Sequence, residues 1–339
     1  MDLKKYYIYF FRLINRSNGK GSAIVKQPIF LTPQFQERIW GGTKLRTEFG
    51  YQIESDLTGE CWAVSAHPNG QSVVNQGPYE GKTLGELWEG HRELFGDMEG
   101  DVFPLLTKIL DANNDLSIQV HPNDEYAKKH ENGELGKTEC WYVIDCEDDA
   151  EIIYGHTAQT KEQFVSMIEE GKWDQLMSRV KVKPGDFFYV PSGTIHALCS
   201  GVLILETQQS SDTTYRVYDY DRVDQNGNKR ELHIQKSIEV STIPHEEVTV
   251  KPSIEQIPGA TITTFVKEHY FSVYKWDIED SAAFHQDKPF LICSVLNGTA
   301  EIVTEDGSFS IKKGSHFILP VGLGDFEVKG NLELIVSHP

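Results

Sequence analysis

The run Leu116-Ser117-Ile118-Gln119-Val120-His121-Pro122-Asn123-Asp124 sets a neutral amide and an imidazole two residues apart in a segment whose β-branched residues predict a strand. Side chains at i and i+2 of a strand share a face. Gln119 and His121 can therefore reach one small object, while Leu116, Ile118 and Val120 turn the other way into apolar packing. A metal ion suits an amide oxygen and a ring nitrogen. Simple alternation on a half-wet strand face produces the same pair, so a metal site requires further ligands.

Two residues supply them. Glu139 opens the apolar strand Glu139-Cys140-Trp141-Tyr142-Val143-Ile144, where an inward carboxylate is costly unless a cation satisfies it. His196 closes the segment Pro191-Ser192-Gly193-Thr194-Ile195-His196. Two imidazoles, a carboxylate and an amide oxygen make a set of donors for one divalent ion, with room for water or substrate. Zinc suits two histidines and a glutamate with an open position. An amide in place of a third histidine weighs against iron oxygenase chemistry, although ligand type alone leaves manganese and iron open.

The elements around these residues read mainly as β structure. Glu151-Ile152-Ile153-Tyr154, Val202-Leu203-Ile204-Leu205 and Ala300-Glu301-Ile302-Val303 are predicted strands between glycines and prolines. Helices are predicted only in insertions: Thr83-x-x-Glu86 opens Leu84 to Phe95 with a capping-box pattern, and Thr160-x-x-Gln163 does the same before Phe164, Met167 and Ile168. Phe103 to Leu110 is apolar and of ambiguous type, and Asp145 to Asp149 reads as a solvated turn. The frame G-x-x-F-x-x-P-x-G occurs twice, from Gly185 to His196 and from Gly314 to Asp325. It resembles the second half-motif of cupins, and two copies predict duplicated cupin (jelly-roll) barrels. Because Asp325 stands where the first copy has His196, the metal site is expected in the first barrel alone. The predicted divisions are a dispensable extension over 1–25, a catalytic zinc cupin domain with helical insertions over 26–245, and a second cupin-like domain without metal over 246–339.

Composition narrows the partners. A net charge of −19 argues against nucleic acid, whose phosphates are bound by basic surfaces, but leaves a small anion possible at a local basic cluster. The run Tyr6 to Ile14 after Lys4 and Lys5 is too short to span a bilayer and lacks a small-residue cleavage site behind it. Five scattered cysteines without a C-x-x-C pair predict reduced thiols and a cytoplasmic protein. No membrane and no protein partner is expected.

LSIQVHPND, GKTEC, the P-x-G-x-x-H element and the run from Ser210 to Arg222, with Arg38-Ile39-Trp40-Gly41-Gly42 near the start, together resemble type I mannose-6-phosphate isomerase in its short bacterial form. The likeness extends over residues 27–339. It implies a zinc cupin, one Zn2+ per chain, that interconverts mannose 6-phosphate and fructose 6-phosphate, with Gln119, His121, Glu139 and His196 as ligands and Arg216 as the catalytic arginine. It also implies active-site roles for Lys137 and Asp212. Such an exchange moves a proton between adjacent carbons through an enediol, so charge develops on neighbouring oxygens that a metal and a guanidinium can stabilise. Arg222 departs from longer relatives, which carry lysine there; it can bind the substrate phosphate but cannot shuttle a proton near neutral pH. Tyr215, Tyr218 and Tyr220 are expected to line the barrel mouth, and the remaining histidines are given no role. A non-catalytic sugar-binding or regulatory bicupin with a structural metal is the rival reading, and Lys137 and Arg216 beside the metal favour the enzyme.

Overall fold

The computed structural model describes residues 25–223 and 227–339, so the expected extension lies, apart from Val25, outside the described residues. Apart from strand Val73–Val74, which pairs with Ile29–Thr32, residues from Gln34 to Val240 build two antiparallel sheets and the helices against them. One sheet runs in the order Phe187–Val190, Glu139–Cys146, Val202–Gln209, Leu105–Ala112, Thr58–Val64, Gln34–Gly42; the other runs Tyr215–Tyr218, Ile118–Val120, His196–Leu198, Glu151–His156, Met177–Lys181. Leu110, Trp141 and Ile204 of the first pack with Ile152, Tyr154 and Leu198 of the second, which makes a two-walled barrel.

Period-2 alternation decides where the chemistry points. Ile118, Val120, Ala197 and Val217 pack outward against Phe164 and Ile168 of helix Lys161–Glu169 and Ile238 of helix Ile234–Val240. The residues between them must then face the barrel interior. Leu116 departs from the expected apolar side: the strand begins only at Ile118, and Leu116 lines the interior cleft. Tyr215, Tyr218 and Tyr220 also pack in the outer cluster instead of lining the barrel mouth.

The second barrel is a ten-stranded sheet built on two long strands, Phe290–Thr304 and Gly324–His338. Both copies of the sequence frame take the same local path, with Gly185 and Gly314 at φ +91° and +83° and Gly193 and Gly322 at +87° and +76°. These are left-handed conformations that favour glycine. The expected division at 245/246 is incomplete, because Ile29–Thr32 pairs with His316–Pro320 and so belongs to the second barrel's sheet. Phe30 enters the second barrel's core while Ile29 and Leu31 enter a cluster shared by both barrels, so alternation ties this strand to both. In that shared cluster Phe187 of the first barrel stacks on Phe265 of the second at 4.5 Å between ring centroids.

The helices meet their caps as follows. Thr83 and Glu86 form the full reciprocal box, but the α-helix stops at Gly90 and Arg92–Phe95 is a 3-10 turn. Thr160 accepts from Gln163 N, whereas the Gln163 amide oxygen accepts from Gln159 N, one residue earlier than the box requires. The ambiguous apolar segment becomes strand Leu105–Ala112.

Candidate metal centre and active-site cleft

Register assembles the centre. Gln119 is paired on one side with His196 and on the other with Arg216, so three neighbouring strands present these side chains in one row. His121 follows directly after the central strand, and Glu139 enters from the opposite sheet. Among the described residues His121, Glu139 and His196 form the group with metal-ligand spacing, their donor atoms all within 4.8 Å of one another. His121 Nε2 lies 3.4 Å from Glu139 Oε2 and His196 Nε2 lies 3.3 Å from Glu139 Oε1.

Both imidazoles are fixed from behind. Nδ1 of His121 is 2.8 Å from Thr213 O and Nδ1 of His196 is 2.9 Å from Thr194 O. A carbonyl only accepts, so each Nδ1 carries the proton and each Nε2 turns its lone pair toward Glu139. Burial, and after it the Lys137 charge, depresses both histidines, His121 to about 3, which keeps them neutral. Burial also opposes the Glu139 charge, but the adjacent Lys137 ammonium outweighs it and holds the carboxyl well below its ordinary range. Lys137 Nζ stands 2.9 Å from Glu139 Oε2 and 3.2 Å from His121 Nε2. Even so, neither Glu139 oxygen has a hydrogen bond of acceptable geometry, although the residue is fully buried. Two neutral imidazoles aimed at an unsatisfied buried carboxylate fit a divalent cation. The Gln119 amide lies 3.4 Å from His196 Nε2; its two orientations are isosteric, so the same side chain can present its oxygen.

Beside this cluster opens a cleft of about 390 Å³ lined by Gln119, Lys137, Asp212 and Arg216, together with further charged residues assigned no role from the sequence. These form an alternating row across the six-stranded sheet. Arg38 holds both oxygens of Glu60 at 2.9 and 3.1 Å, Lys108 lies 3.9 Å from Glu60 and 3.7 Å from Glu206, and Lys137 lies 4.0 Å from Glu206. Trp62 donates to Glu60 at 2.6 Å and Trp141 to Glu206 at 3.1 Å, so each buried acid has a neutral donor as well. Burial opposes ionisation of Glu60, but Lys108 and Arg38 prevail and bring it to about 2; burial and the Glu139 charge raise Glu206 to about 7. The available signal was a charge inside an apolar strand, at Lys108 and Glu206, which requires partners for the same reason that Glu139 does.

The remaining site residues separate into cleft and support. Asp212 lines the cleft and accepts from Asn69 Nδ2 at 3.0 Å. Arg216 is half-buried, held by Ser117 Oγ at 3.3 Å and Glu231 O at 2.8 Å, and has no ion pair among the described residues. Arg222, expected at the substrate phosphate, does not line the cleft. Its guanidinium bonds Asp219 Oδ1 at 2.6 Å and the Asp115 carbonyl and lies over Tyr220, because the turn after Tyr218 carries it behind Asp219. Arg230 reaches the cleft instead, bonded through Nε to the other oxygen of the same Asp219 at 2.8 Å.

Gly136 lets the loop before Glu139 approach the start of helix Asp124–His130: a Cβ there would lie 2.4 Å from Asp124 N, a backbone atom that cannot retreat. Gly136→Ala is expected to cost about 1–3 kcal/mol by overpacking, read as a fall in urea midpoint at unchanged m-value.

A duplicated β-barrel defines a cupin, and among its described residues one buried His/Glu/His cluster has the spacing that could hold a metal ion. Residues 29–146 match the phosphomannose isomerase type I catalytic domain, and residues 261–339 match the mannose-6-phosphate isomerase cupin domain. Mannose-6-phosphate isomerase ManA of Bacillus subtilis is 61% identical over 92% of this chain and 99% of its own, and mannose-6-phosphate isomerase of Streptococcus mutans is 54% identical over 92% and 98%. The crystal structure of mannose 6-phosphate isomerase from Bacillus subtilis superposes with a TM-score of 0.91 at 61% identity, covering 92% of this chain and 99% of that one. The chain belongs to the type I phosphomannose isomerase family, and it is an enzyme of the isomerase class.

Proposed function

We propose that the chain is a zinc-dependent aldose–ketose isomerase that interconverts mannose 6-phosphate and fructose 6-phosphate through an enediol. The observation that carries this reading is the fully buried Glu139, with neither oxygen hydrogen-bonded, between two aimed imidazoles at the foot of a cation-rich cleft. His121, Glu139 and His196, with Gln119, would hold the ion. Bound zinc supplies Lewis acidity toward the neighbouring substrate oxygens on which charge develops.

This chain's own residues do the rest. Arg216, a guanidinium without a carboxylate partner among the described residues, binds and stabilises the developing anion. Asp212, oriented by Asn69, is assigned to moving the proton, and Lys137, held charged between Glu139 and Glu206, to stabilising the charge that develops on the substrate oxygens. Arg230 takes the phosphate role first given to Arg222: two guanidinium groups share the single carboxylate of Asp219, so that group of three keeps a net positive charge facing the cleft. Arg222 acts from behind by fixing Asp219. The free state of all five cysteines supports a cytoplasmic setting, and among the described residues no helix is long and apolar enough to cross a membrane.

A coupled assay of mannose 6-phosphate conversion by zinc-loaded protein tests the reading: turnover is expected, and a folded, zinc-loaded chain without turnover would overturn it. Arg230→Gln is expected to raise KM for mannose 6-phosphate about tenfold or more, the loss of a hydrogen bond to a charged group, with kcat changed far less. An unchanged KM would remove Arg230 from phosphate binding.

A further inference from the structure

Among the described residues the group with metal-ligand spacing lies in the first barrel, yet the second barrel touches the segment that leads into it. Tyr270 lies between strands Ala260–Lys267 and Ser272–Ile278, and its neighbour Phe271 is fully buried in the cluster shared by both barrels. That anchor fixes where Tyr270 can reach. Its hydroxyl donates to Asp124 Oδ2 at 2.8 Å.

Asp124 is a junction. Its Oδ1 accepts from Gly136 N at 2.8 Å and from Gln209 Nε2 at 2.9 Å. Gln209 Oε1 in turn accepts from Thr138 N at 2.9 Å, and Lys137 N donates to Pro122 O at 3.0 Å. Each backbone N–H from Gly136 to Thr138 is thus bound to Asp124, to Pro122 or, through Gln209, back to Asp124. The side chains of Lys137 and Glu139 leave from this pinned segment, and Pro122 adjoins His121. A carboxylate tethered by three donors has little freedom to rotate, and the hydroxyl from the second barrel occupies the oxygen that the other two leave open.

We infer that Tyr270 is a positioning residue: through Asp124 it couples the second barrel to the segment carrying Lys137 and Glu139, and so sets the geometry of the metal centre. The inference rests on the isomerase reading for its catalytic consequence but not for its effect on the metal. Loss of a partner bonded directly to a ligand lowers metal affinity or activity by about 10–100-fold, and a link one residue further out is expected at the lower end of that range.

The test is Tyr270→Phe, which removes only the hydroxyl, measured in the full chain by competition for Zn2+ with a chromophoric chelator and by the coupled assay. The expected result is metal affinity and kcat each lowered by about tenfold, with KM within about twofold of wild type. Asp124→Asn should move both readouts the same way, and the double variant should lose less than the sum of the singles, because both act on one link. Wild-type affinity and kcat in Tyr270→Phe, whether or not its melting temperature falls, would overturn the coupling, as would full additivity. If the wild type itself turned over no sugar phosphate, the isomerase reading would fail while the chelator competition still decided the coupling.

Discussion

Arg216→Ala is expected to lower kcat/KM for mannose 6-phosphate by about 10²–10³, the loss found when one donor to a developing oxyanion is removed. Bound zinc and melting temperature should stay near wild type. The reason is the setting of this guanidinium: among the described residues its hydrogen bonds go to a serine hydroxyl and a main-chain carbonyl, and no carboxylate pairs with it. Burial pushes its pKa down and nearby Arg230 adds to that, so the folded protein holds Arg216 at a cost that an anionic partner would relieve. Removing it should therefore spare stability and harm catalysis. Arg216→Lys should recover little, since an ammonium on a flexible stem does not reproduce the rigid fork. Wild-type kcat/KM in a folded Arg216→Ala variant would contradict the assignment.

His121→Ala is expected to lose bound zinc and, with it, essentially all turnover. It should also lose the dependence of stability on metal, which at zinc a thousandfold above Kd amounts to about 4 kcal/mol. In the wild type a chelator should lower the melting temperature and zinc should restore it, whereas the variant should melt at one temperature with or without either. The structure gives His121 no structural duty that alanine would reveal as a metal-independent collapse: Nδ1 meets one carbonyl and Nε2 points at Glu139. A variant that keeps stoichiometric zinc would contradict the ligand assignment.

How much of this was legible in the sequence follows from what each signal encodes. Strand alternation and the repeated glycine–proline frame are local, and both read through to the fold: Ile118 and Val120 turn outward, and paired glycines adopt matching left-handed conformations in the two barrels. Gln119 and His121 could be nominated from their shared strand face, Glu139 because it breaks an apolar strand, and His196 because it ends the glycine–proline frame. Lys108 and Glu206 break apolar runs too. Lys108 lay in a segment whose type was ambiguous, and only the cross-strand pairing Lys108↔Glu206 reveals that they neutralise one another. Arg222 and Arg230 could not be told apart, since which guanidinium faces the cleft depends on the turn that follows Tyr218 and on Asp219, which both of them grip. The strand Ile29–Thr32 was placed with the first barrel because it precedes it in the chain, whereas pairing with His316–Pro320 is a contact across almost the whole sequence. The coupling through Tyr270 is of the same long-range kind.

The central claim is that His121, Glu139 and His196 hold the ion on which turnover depends. The most direct measurement is a titration of metal-stripped protein with zinc, following mannose 6-phosphate conversion and metal content together. Verified metal-free protein is expected to show no turnover, and added zinc a linear rise that breaks at one ion per chain. Full turnover without metal, or saturation at a stoichiometry unrelated to the single His/Glu/His cluster, would contradict that claim.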